Sequence, residues 1–355
     1  MAAATFSLVD HRSEAKDAHC RNSLRRRTKL DRPIEDKNGE DISKATLIWR
    51  AIKLPMYAVA LIPLSVGTAA AYRETGQYSM ERYFVLLGSF VLVNAWVNLS
   101  NDVYDFDTGA DINKKESVVN IVGSRTTIHV LSWLLLAIGS TGLTWVAIEA
   151  RSPRSLLLLA SAIFCGYIYQ CPPFRLSYHG LGEPLCFAAF GPFSTIAFYL
   201  LQSSTSELPI SSTVVSVSIL VGFTSSLILF CSHFHQVIED DKAVGKISPL
   251  VRLGTDRSSK VVKMAVLGLY WLVFGLGIGQ TLPYASVMMC IMTLPLGNSI
   301  VSFVQENHKD KTKIFMAKYY CVRLHTIFGA ALAAGLVTSR MLETEHAEFS
   351  YSKSM

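Results

Sequence analysis

The chain has 355 residues, of which 50% are hydrophobic and 17% are charged, and its formal net charge is +6. An ordinary soluble domain carries about 25% charged residues, so the composition excludes a typical soluble protein and indicates a membrane protein. The basic residues lie between long apolar blocks, which favours topology signals over a nucleic-acid surface. The seven cysteines are scattered without a CxxC pair, so neither a disulfide framework nor a zinc site is predicted.

Residues 1–44 are predicted to form a disordered basic N-terminal segment. The segment contains the run Arg25–Arg27 and lacks the apolar core of a secretory signal. It also holds acids such as Asp10, so it matches a transit peptide only in part. We expect a transmembrane domain at 45–341 to follow it, and a polar tail at 342–355.

Nine apolar blocks are each predicted to cross the membrane as a helix, because about 20 apolar residues span a bilayer core. The predicted spans are 45–72, 81–103, 126–149, 154–170, 180–203, 209–235, 260–280, 283–305 and 314–340. Loops after the second, fourth, sixth and eighth spans would share the side of the N-terminus, and they hold most of the loop Lys and Arg residues. The positive-inside rule then puts the N-terminus on the cytosol-like side. The predicted fold class is an all-α polytopic membrane protein, with about nine transmembrane helices in one bundle.

The first acidic cluster, NLSNDVYDFDTGAD, follows directly from the second span. Four of its side chains have the i, i+3, i+4, i+7 spacing that places them on one face of a helix. They are Asn98, Asn101, Asp102 and Asp105. Gly109 then permits a turn that would bring Asp111 toward the same point. Clustered carboxylate and amide oxygens suit Mg²⁺ that carries substrate phosphates, and a solvated helix end is the alternative interpretation.

The second acidic cluster, HFHQVIEDDK, ends the sixth span. Its i,i+4 pairs again put polar groups on one helix face at the membrane exit, and three acids are candidate metal ligands, Glu239, Asp240 and Asp241. The basic residues that follow suit a phosphate group, or they are topology signals and lipid-headgroup contacts. They are Lys242, Lys246 and Arg252. The parity of the spans places both acidic clusters at one membrane face, so we expect them to form one site.

These features together resemble the UbiA superfamily of intramembrane aromatic prenyltransferases. NLSNDVYDFDTGAD is similar to the first motif of the branch that prenylates 1,4-dihydroxy-2-naphthoate, and YHGLGE at 178–183 and the pair Gly191–Pro192 match a further signature of that branch. HFHQVIEDD followed by GKISPLVRLGT resembles the phytyl-transferring form of photosynthetic lineages. Other branches carry an Asn-x-x-x-Asp pattern in the second motif, where this chain has Val237 in place of the aspartate. The metal role would then pass to the acids that follow.

The resemblance implies a Mg²⁺-dependent prenyltransferase with a UbiA-type bundle. Its substrates would be phytyl diphosphate and 1,4-dihydroxy-2-naphthoate or its quinone form, with loss of the carboxyl group on the way to phylloquinone. Its other partner would be membrane lipid, with no nucleic acid. The implied location is a plastid (chloroplast) membrane with the N-terminus on the stromal side.

The resemblance also implies roles for individual residues. The catalytic candidates are Asp102, Asp105, Asp240 and Asp241, and the metal candidates are Asn98, Asn101, Asp102, Asp105, Asp111, Glu239, Asp240 and Asp241. The diphosphate candidates are Arg125, Arg175, Lys242, Lys246 and Arg252. Acceptor or prenyl contacts are expected from Tyr104, Tyr169, Tyr178, His233 and Gln236, although tyrosines at membrane interfaces are also common anchors.

Two other functions are compatible with parts of the pattern. A related prenyltransferase could use another aromatic acceptor, such as homogentisate. A multi-pass ion or anion transporter would share the apolar spans, but it favours charged residues and broken helices near mid-membrane. The acids of this chain instead lie where the spans end.

Overall fold

The computed structural model describes residues 57–109, 117–202, 208–234 and 247–354, with side chains described to residue 345. Within these ranges the chain is helical and has no β-strand. The helices are α1 (Ala58–Thr75), α2 (Met80–Thr108), α3 (Val118–Val122), α4 (Arg125–Glu149), α5 (Pro153–Gln170), α6 (Gly182–Gln202), α7 (Ser212–Ser232), α8 (Pro249–Ile278), α9 (Tyr284–Asn307) and α10 (Ala317–Ser354). The predicted all-α polytopic fold is confirmed.

Among the described residues, seven helical segments are long and apolar enough to cross a membrane. They are α2, α4, α6, α7, α8, α9 and the region Ile314–Glu345 that contains most of α10. The first and fourth predicted spans correspond to α1 and α5, which are 18 residues long each and do not meet that standard. The chain is an integral membrane protein.

Serine residues begin five of the long helices. The side-chain oxygens of Ser79, Ser124, Ser152, Ser211 and Ser248 each accept a hydrogen bond from the backbone N–H three residues later. This N-cap satisfies a helix donor that would otherwise have no partner. The caps place the starts of α2, α4, α5 and α7 within a few residues of their predicted positions.

Helix α8 begins earlier than predicted. It starts at Pro249 rather than at residue 260. A short first segment precedes the apolar part of the helix, and a kink joins the two. Gly254 forms the kink with φ 75° and ψ 166°, a conformation that only glycine adopts without strain. Hydropathy predicts only the apolar part of α8, so the predicted span begins after the kink.

The interior consists of side chains from neighbouring helices in two buried apolar clusters. Phe90 on α2 and Phe198 on α6 are 4.9 Å apart between ring centroids, and Leu143 of α4 belongs to the same cluster. Leu220 of α7 and Phe328 of α10 belong to the other. The two clusters together hold most of the long helices in one bundle.

The crossing of α6 and α7 depends on two glycines. A Cβ atom at Gly191 would lie 2.7 Å from the carbonyl oxygen of Ser218, and one at Gly222 would lie 2.7 Å from the carbonyl oxygen of Phe187. Side chains at these positions would therefore separate the helices. This close approach gives a packing reason for glycine in the Gly191–Pro192 pair, which lies in a π-helical turn of α6.

The connections after α2, α5 and α7 meet at one end of the bundle, which we call the site end. Tyr178, after α5, contacts Asp105 of α2, and Glu183, at the start of α6, contacts His233 after α7. The other end of the bundle carries different pairs, such as Arg82 with Glu149. The parity of the predicted spans is therefore confirmed for the described parts of these connections.

Candidate active site

The end of α2 carries the first acidic cluster as predicted. Asn98, Asn101, Asp102 and Asp105 all lie within the helix, which ends at Thr108. Gly109 follows with φ 85° and forms the predicted left-handed turn. Asp111 lies outside the described residues, so its role as a ligand stays a prediction.

Asp102 is completely buried and holds the short helix α3. Its Oδ2 accepts a hydrogen bond from the backbone N–H of Val118 at 3.1 Å. Val119 then packs against Val103 and Ile128 in a small apolar cluster beneath the acids. The acidic motif therefore fixes the chain that returns from α2 to α4.

Asp105 is 3% exposed and accepts hydrogen bonds on both carboxylate oxygens. The Tyr178 hydroxyl donates to Oδ1 at 2.6 Å, and the Asn101 amide donates to Oδ2 at 3.0 Å. Burial, together with the nearby negative charge of Asp105, raises the pKa of Tyr178 above the usual tyrosine value. Tyr178 therefore stays protonated and keeps donating to the carboxylate.

The three predicted diphosphate-binding arginines that the structure describes differ in their partners. Arg125 donates to the carboxylate of Asp107 through Nη2 at 2.7 Å and Nε at 3.1 Å. Arg252 donates to the carbonyl oxygen of His179 at 2.8 Å. Arg175 lies 6.0 Å from the centre of the Tyr104 ring, and its buried Nε has no hydrogen-bond partner among the described residues. Arg175 thus has a donor to offer an anionic ligand.

The remaining predicted contacts with the acceptor and the prenyl chain come from different parts of the site end. Tyr104 lies on α2 between the two aspartates, while Tyr169 at the end of α5 packs against Gly182, where a Cβ atom would be 3.0 Å from the ring. His233 is buried and donates from Nδ1 to Glu183 Oε1 at 3.1 Å. No contact with a substrate is tested for these residues, so those roles stay predictions.

Most of the second acidic cluster lies outside the described residues, which stop at Phe234 and resume at Ile247. The predicted residues in that gap are Gln236, Glu239, Asp240, Asp241, Lys242 and Lys246. The structure shows only that the flanks of the gap lie at the site end, since His233 contacts Glu183 and the Ile247 N–H donates to the carbonyl of Tyr178 at 2.9 Å.

Two polar features of the site end were not assigned from the sequence. Glu183 lies in the recognised YHGLGE segment, yet its pairing with His233 gives it a position that the motif alone did not reveal. Gln170 at the end of α5 donates to Ser100 on α2, beside the aspartates. An acid at the start of an apolar span was the available signal for Glu183, because such acids are costly and usually functional.

The buried carboxylates fit a divalent cation. Asp102 and Asp105 are one helical turn apart and almost completely buried, so like-charge repulsion and desolvation both oppose their ionised forms. A cation would offset both costs, and carboxylate and amide oxygens are the ligands that Mg²⁺ accepts. Within the described part of the chain no three His, Cys, Asp or Glu side chains form a ready metal site. Further ligands would have to come from a phosphate or from the residues outside that part.

Comparison with known proteins identifies the class. Residues 60–322 match the UbiA prenyltransferase family, so the chain belongs to this family and is an intramembrane prenyltransferase. A UbiA homologue from Archaeoglobus fulgidus bound to DMAPP and Mg²⁺ shares the fold with a TM-score of 0.57 at 16% identity, over 81% of this chain and 99% of that chain.

The branch within the family follows from two relatives. The chain is 62% identical over 304 residues to the chloroplastic 2-carboxy-1,4-naphthoquinone phytyltransferase of Arabidopsis thaliana, covering 85% of this chain and 79% of the relative. It is 42% identical over 289 residues to the 2-carboxy-1,4-naphthoquinone phytyltransferase of Synechocystis, covering 81% and 92%. The predicted phytyltransferase branch is confirmed.

Proposed function

We propose that this chain transfers a phytyl group from phytyl diphosphate to 1,4-dihydroxy-2-naphthoate with loss of the carboxyl group, a step of phylloquinone biosynthesis. The observation that carries the proposal is the 62% identity to the Arabidopsis phytyltransferase over 85% of the chain. The acceptor is written in its reduced form because the attacking ring carbon has to be electron-rich. The relatives are named after the quinone, which is the two-electron-oxidised form of the same molecule.

The acids of α2 would hold Mg²⁺ together with the diphosphate. Asp102 and Asp105 would supply carboxylate oxygens, and Asn98 would supply its amide oxygen, since its nitrogen already donates to the carbonyl of Asn94 at 3.0 Å. The acids at 239–241 would supply the other side of the site. When bound, Mg²⁺ would neutralise charge on the diphosphate as it leaves.

The reaction would begin with heterolysis of the allylic C–O bond, in which the electron pair leaves with the diphosphate. Arg175 would donate to the leaving phosphate oxygens, and the apolar bundle would exclude water that could quench the allylic cation. The ring carbon that carries the carboxylate would form the new C–C bond to the allylic carbon, and the electron pair of its bond to the carboxylate would return to the ring as CO₂ departs. Tyr178 would keep Asp105 ionised and oriented during these steps.

The enzyme would operate in a plastid membrane. The Arabidopsis relative is chloroplastic, and the basic loops of this chain favour an N-terminus on the stromal side. Phytyl diphosphate and the naphthoate would reach the acids from that side, with the isoprenoid tail in the bundle or the surrounding lipid.

The direct test is an assay with membranes that contain the expressed chain. They would be incubated with 1,4-dihydroxy-2-naphthoate, Mg²⁺ and either phytyl or geranylgeranyl diphosphate, and the products would be analysed by mass spectrometry. We expect a phytylated, decarboxylated naphthohydroquinone, detected as the naphthoquinone after oxidation by air during extraction, that requires Mg²⁺ and disappears in Asp102→Ala and Asp241→Ala. Product with homogentisate but none with the naphthoate would contradict the assigned acceptor while leaving prenyl transfer intact.

A further inference from the structure

The segment 175–183, which leads from α5 into the first turn of α6, contacts both flanks of the second acidic cluster. On one flank, Glu183 pairs with His233 at the end of α7. On the other, the carbonyl of Tyr178 accepts from the Ile247 N–H at 2.9 Å, and the carbonyl of His179 accepts from Arg252 at 2.8 Å. Through its hydroxyl group, Tyr178 also contacts Asp105 of the first cluster. One short segment therefore links the first cluster to both ends of the chain that carries the second.

The contact between Glu183 and His233 is buried and joins two helix ends. The two side chains are 13% and 4% exposed, and the imidazole Nδ1 donates to Oε1 at 3.1 Å. Glu183 lies in the first turn of α6, and His233 is the C-cap residue of α7. Ser226 of α7 adds a hydrogen bond to the carbonyl of Glu183 at 3.0 Å. The end of α7 is thus held against the start of α6.

The carboxylate of Glu183 is not fully satisfied by this contact. Its Oε2 is buried and has no hydrogen-bond partner among the described residues. An unpaired carboxylate oxygen in a buried position lowers stability, so fold stability alone would favour a neutral side chain there. The presence of a carboxylate at Glu183 is therefore better explained by a role for its hydrogen bond to His233 than by packing.

We propose that Glu183 and His233 are a positioning pair: their contact holds the end of α7 against the segment 175–183, which also contacts Asp105 through Tyr178. The pair touches neither Asp102 nor Asp105 in the described structure and acts by holding the end of α7. The inference rests on the proposed function in one respect, namely that both acidic clusters bind the same metal–diphosphate. Disturbing the pair should therefore weaken metal and diphosphate binding more than it weakens the fold.

The test measures Mn²⁺ binding to the purified full-length protein by electron paramagnetic resonance, with and without phytyl diphosphate. Glu183→Met and His233→Leu remove the hydrogen bond while keeping most of the volume. His233→Asn keeps a donor, because its Nδ2 occupies the place of the imidazole Nδ1. Thr224→Val is the matched control, because it removes a buried hydrogen bond of 2.8 Å between α7 and His325 of α10 that lies away from the acids.

We expect Glu183→Met and His233→Leu to weaken Mn²⁺ binding by about tenfold, the low end of what substitutions around metal ligands cost. The KM for phytyl diphosphate should rise in parallel. His233→Asn should bind Mn²⁺ nearly as well as wild type, and Thr224→Val should lower the melting temperature with no change in Mn²⁺ affinity. If Glu183→Met does not fold, His233→Leu provides the same comparison.

The proposal is overturned if Glu183→Met and His233→Leu behave like Thr224→Val, with lower melting temperatures but wild-type Mn²⁺ affinity and KM. It is also overturned if the wild-type chain does not bind Mn²⁺ in the presence of phytyl diphosphate. The binding measurement needs no aromatic acceptor. A chain that binds Mn²⁺ and phytyl diphosphate but does not prenylate the naphthoate would refute the proposed function, and the Mn²⁺ affinities of the variants would then decide the positioning pair by themselves.

Discussion

The two ends of the helix bundle both carry charged side chains, but they use them differently. At the end opposite the site, Arg82 pairs with Glu149 at 3.2 Å, and the glutamate side chain is 49% exposed. At the site end, Asp105 is 3% exposed and is held by Tyr178 and Asn101. Exposed pairs contribute little stability because water and salt screen them. Buried carboxylates are costly, so their presence indicates a role beyond stability.

The largest expected effect comes from the buried carboxylates themselves. Asp102→Asn or Asp105→Asn keeps the shape of the side chain but removes the negative charge that would hold a cation against the diphosphate. We expect the initial rate of phytyl transfer to fall by at least about 100-fold, measured with saturating substrates in membranes that contain equal amounts of protein.

Asp107→Asn is the control for this loss, because Asp107 is on the same helix but is 33% exposed and pairs with Arg125. Its rate of phytyl transfer should fall by less than about fivefold, because an exposed ion pair contributes at most about 1 kcal/mol. Equal losses in all three variants would show that the buried position of the two aspartates does not matter.

A smaller loss is expected when Tyr178 is replaced by phenylalanine. The variant removes the hydrogen bond to Asp105, and a hydrogen bond to a charged group contributes about 1.5–3 kcal/mol. We therefore expect kcat/KM to fall by about tenfold or more. Thr108→Val is the matched control, since it removes the contact with the Tyr178 hydroxyl at 2.7 Å and the hydrogen bond to the backbone carbonyl of Asp105 at 3.1 Å, but leaves the contact between Tyr178 and the carboxylate in place.

The contribution of the hydrogen bond between Tyr178 and Asp105 to activity should depend on pH in one direction only. Burial and Asp105 raise the pKa of Tyr178, so its hydrogen bond is fully present below the ordinary tyrosine pKa of about 10 and is lost only at higher pH. The ratio of wild-type to Tyr178→Phe activity should stay constant between about pH 6 and pH 9. A ratio that declines within this range would mean that the tyrosine ionises in the folded protein and that the hydrogen-bond assignment is wrong.

The helix crossing at Gly191 should affect stability rather than chemistry. A Cβ atom there would lie 2.7 Å from the Ser218 carbonyl, and such overpacking costs about 1–3 kcal/mol. Gly191→Ala should therefore lower the melting temperature in detergent. Gly268→Ala is the matched control, because no atom lies within 4 Å of the added Cβ, and it should melt at or above the wild-type temperature. Similar melting temperatures for the two variants would contradict the close crossing.

The smallest effect is expected at the opposite end. Arg82→Gln breaks the pair with Glu149, and exposed pairs contribute at most about 1 kcal/mol. Phytyl transfer and the melting temperature should both stay close to wild type, measured in the assays above. A loss of activity comparable with that of Tyr178→Phe would remove the difference between the two ends.

Much of the fold was predictable because hydropathy and serine caps are local properties. The spans at α2, α4, α5 and α7 begin close to the predicted residues. The start of α8 was not predictable in this way, since the kink at Gly254 lets a polar segment join an apolar helix. The spacing of the first acidic cluster likewise predicted a shared helix face at Asp102 and Asp105 without any tertiary information.

The sequence by itself determined the class of protein, the parity of the spans and the acids of α2, because periodicity, charge and motif similarity depend only on residues that are close in the chain. The tertiary structure decided which distant residues serve those acids. Tyr178 reaches Asp105 across 73 positions, and Glu183 reaches His233 across 50. Such pairs form only when helices pack, because the energy that brings them together comes from burying the apolar faces between them rather than from the polar residues themselves.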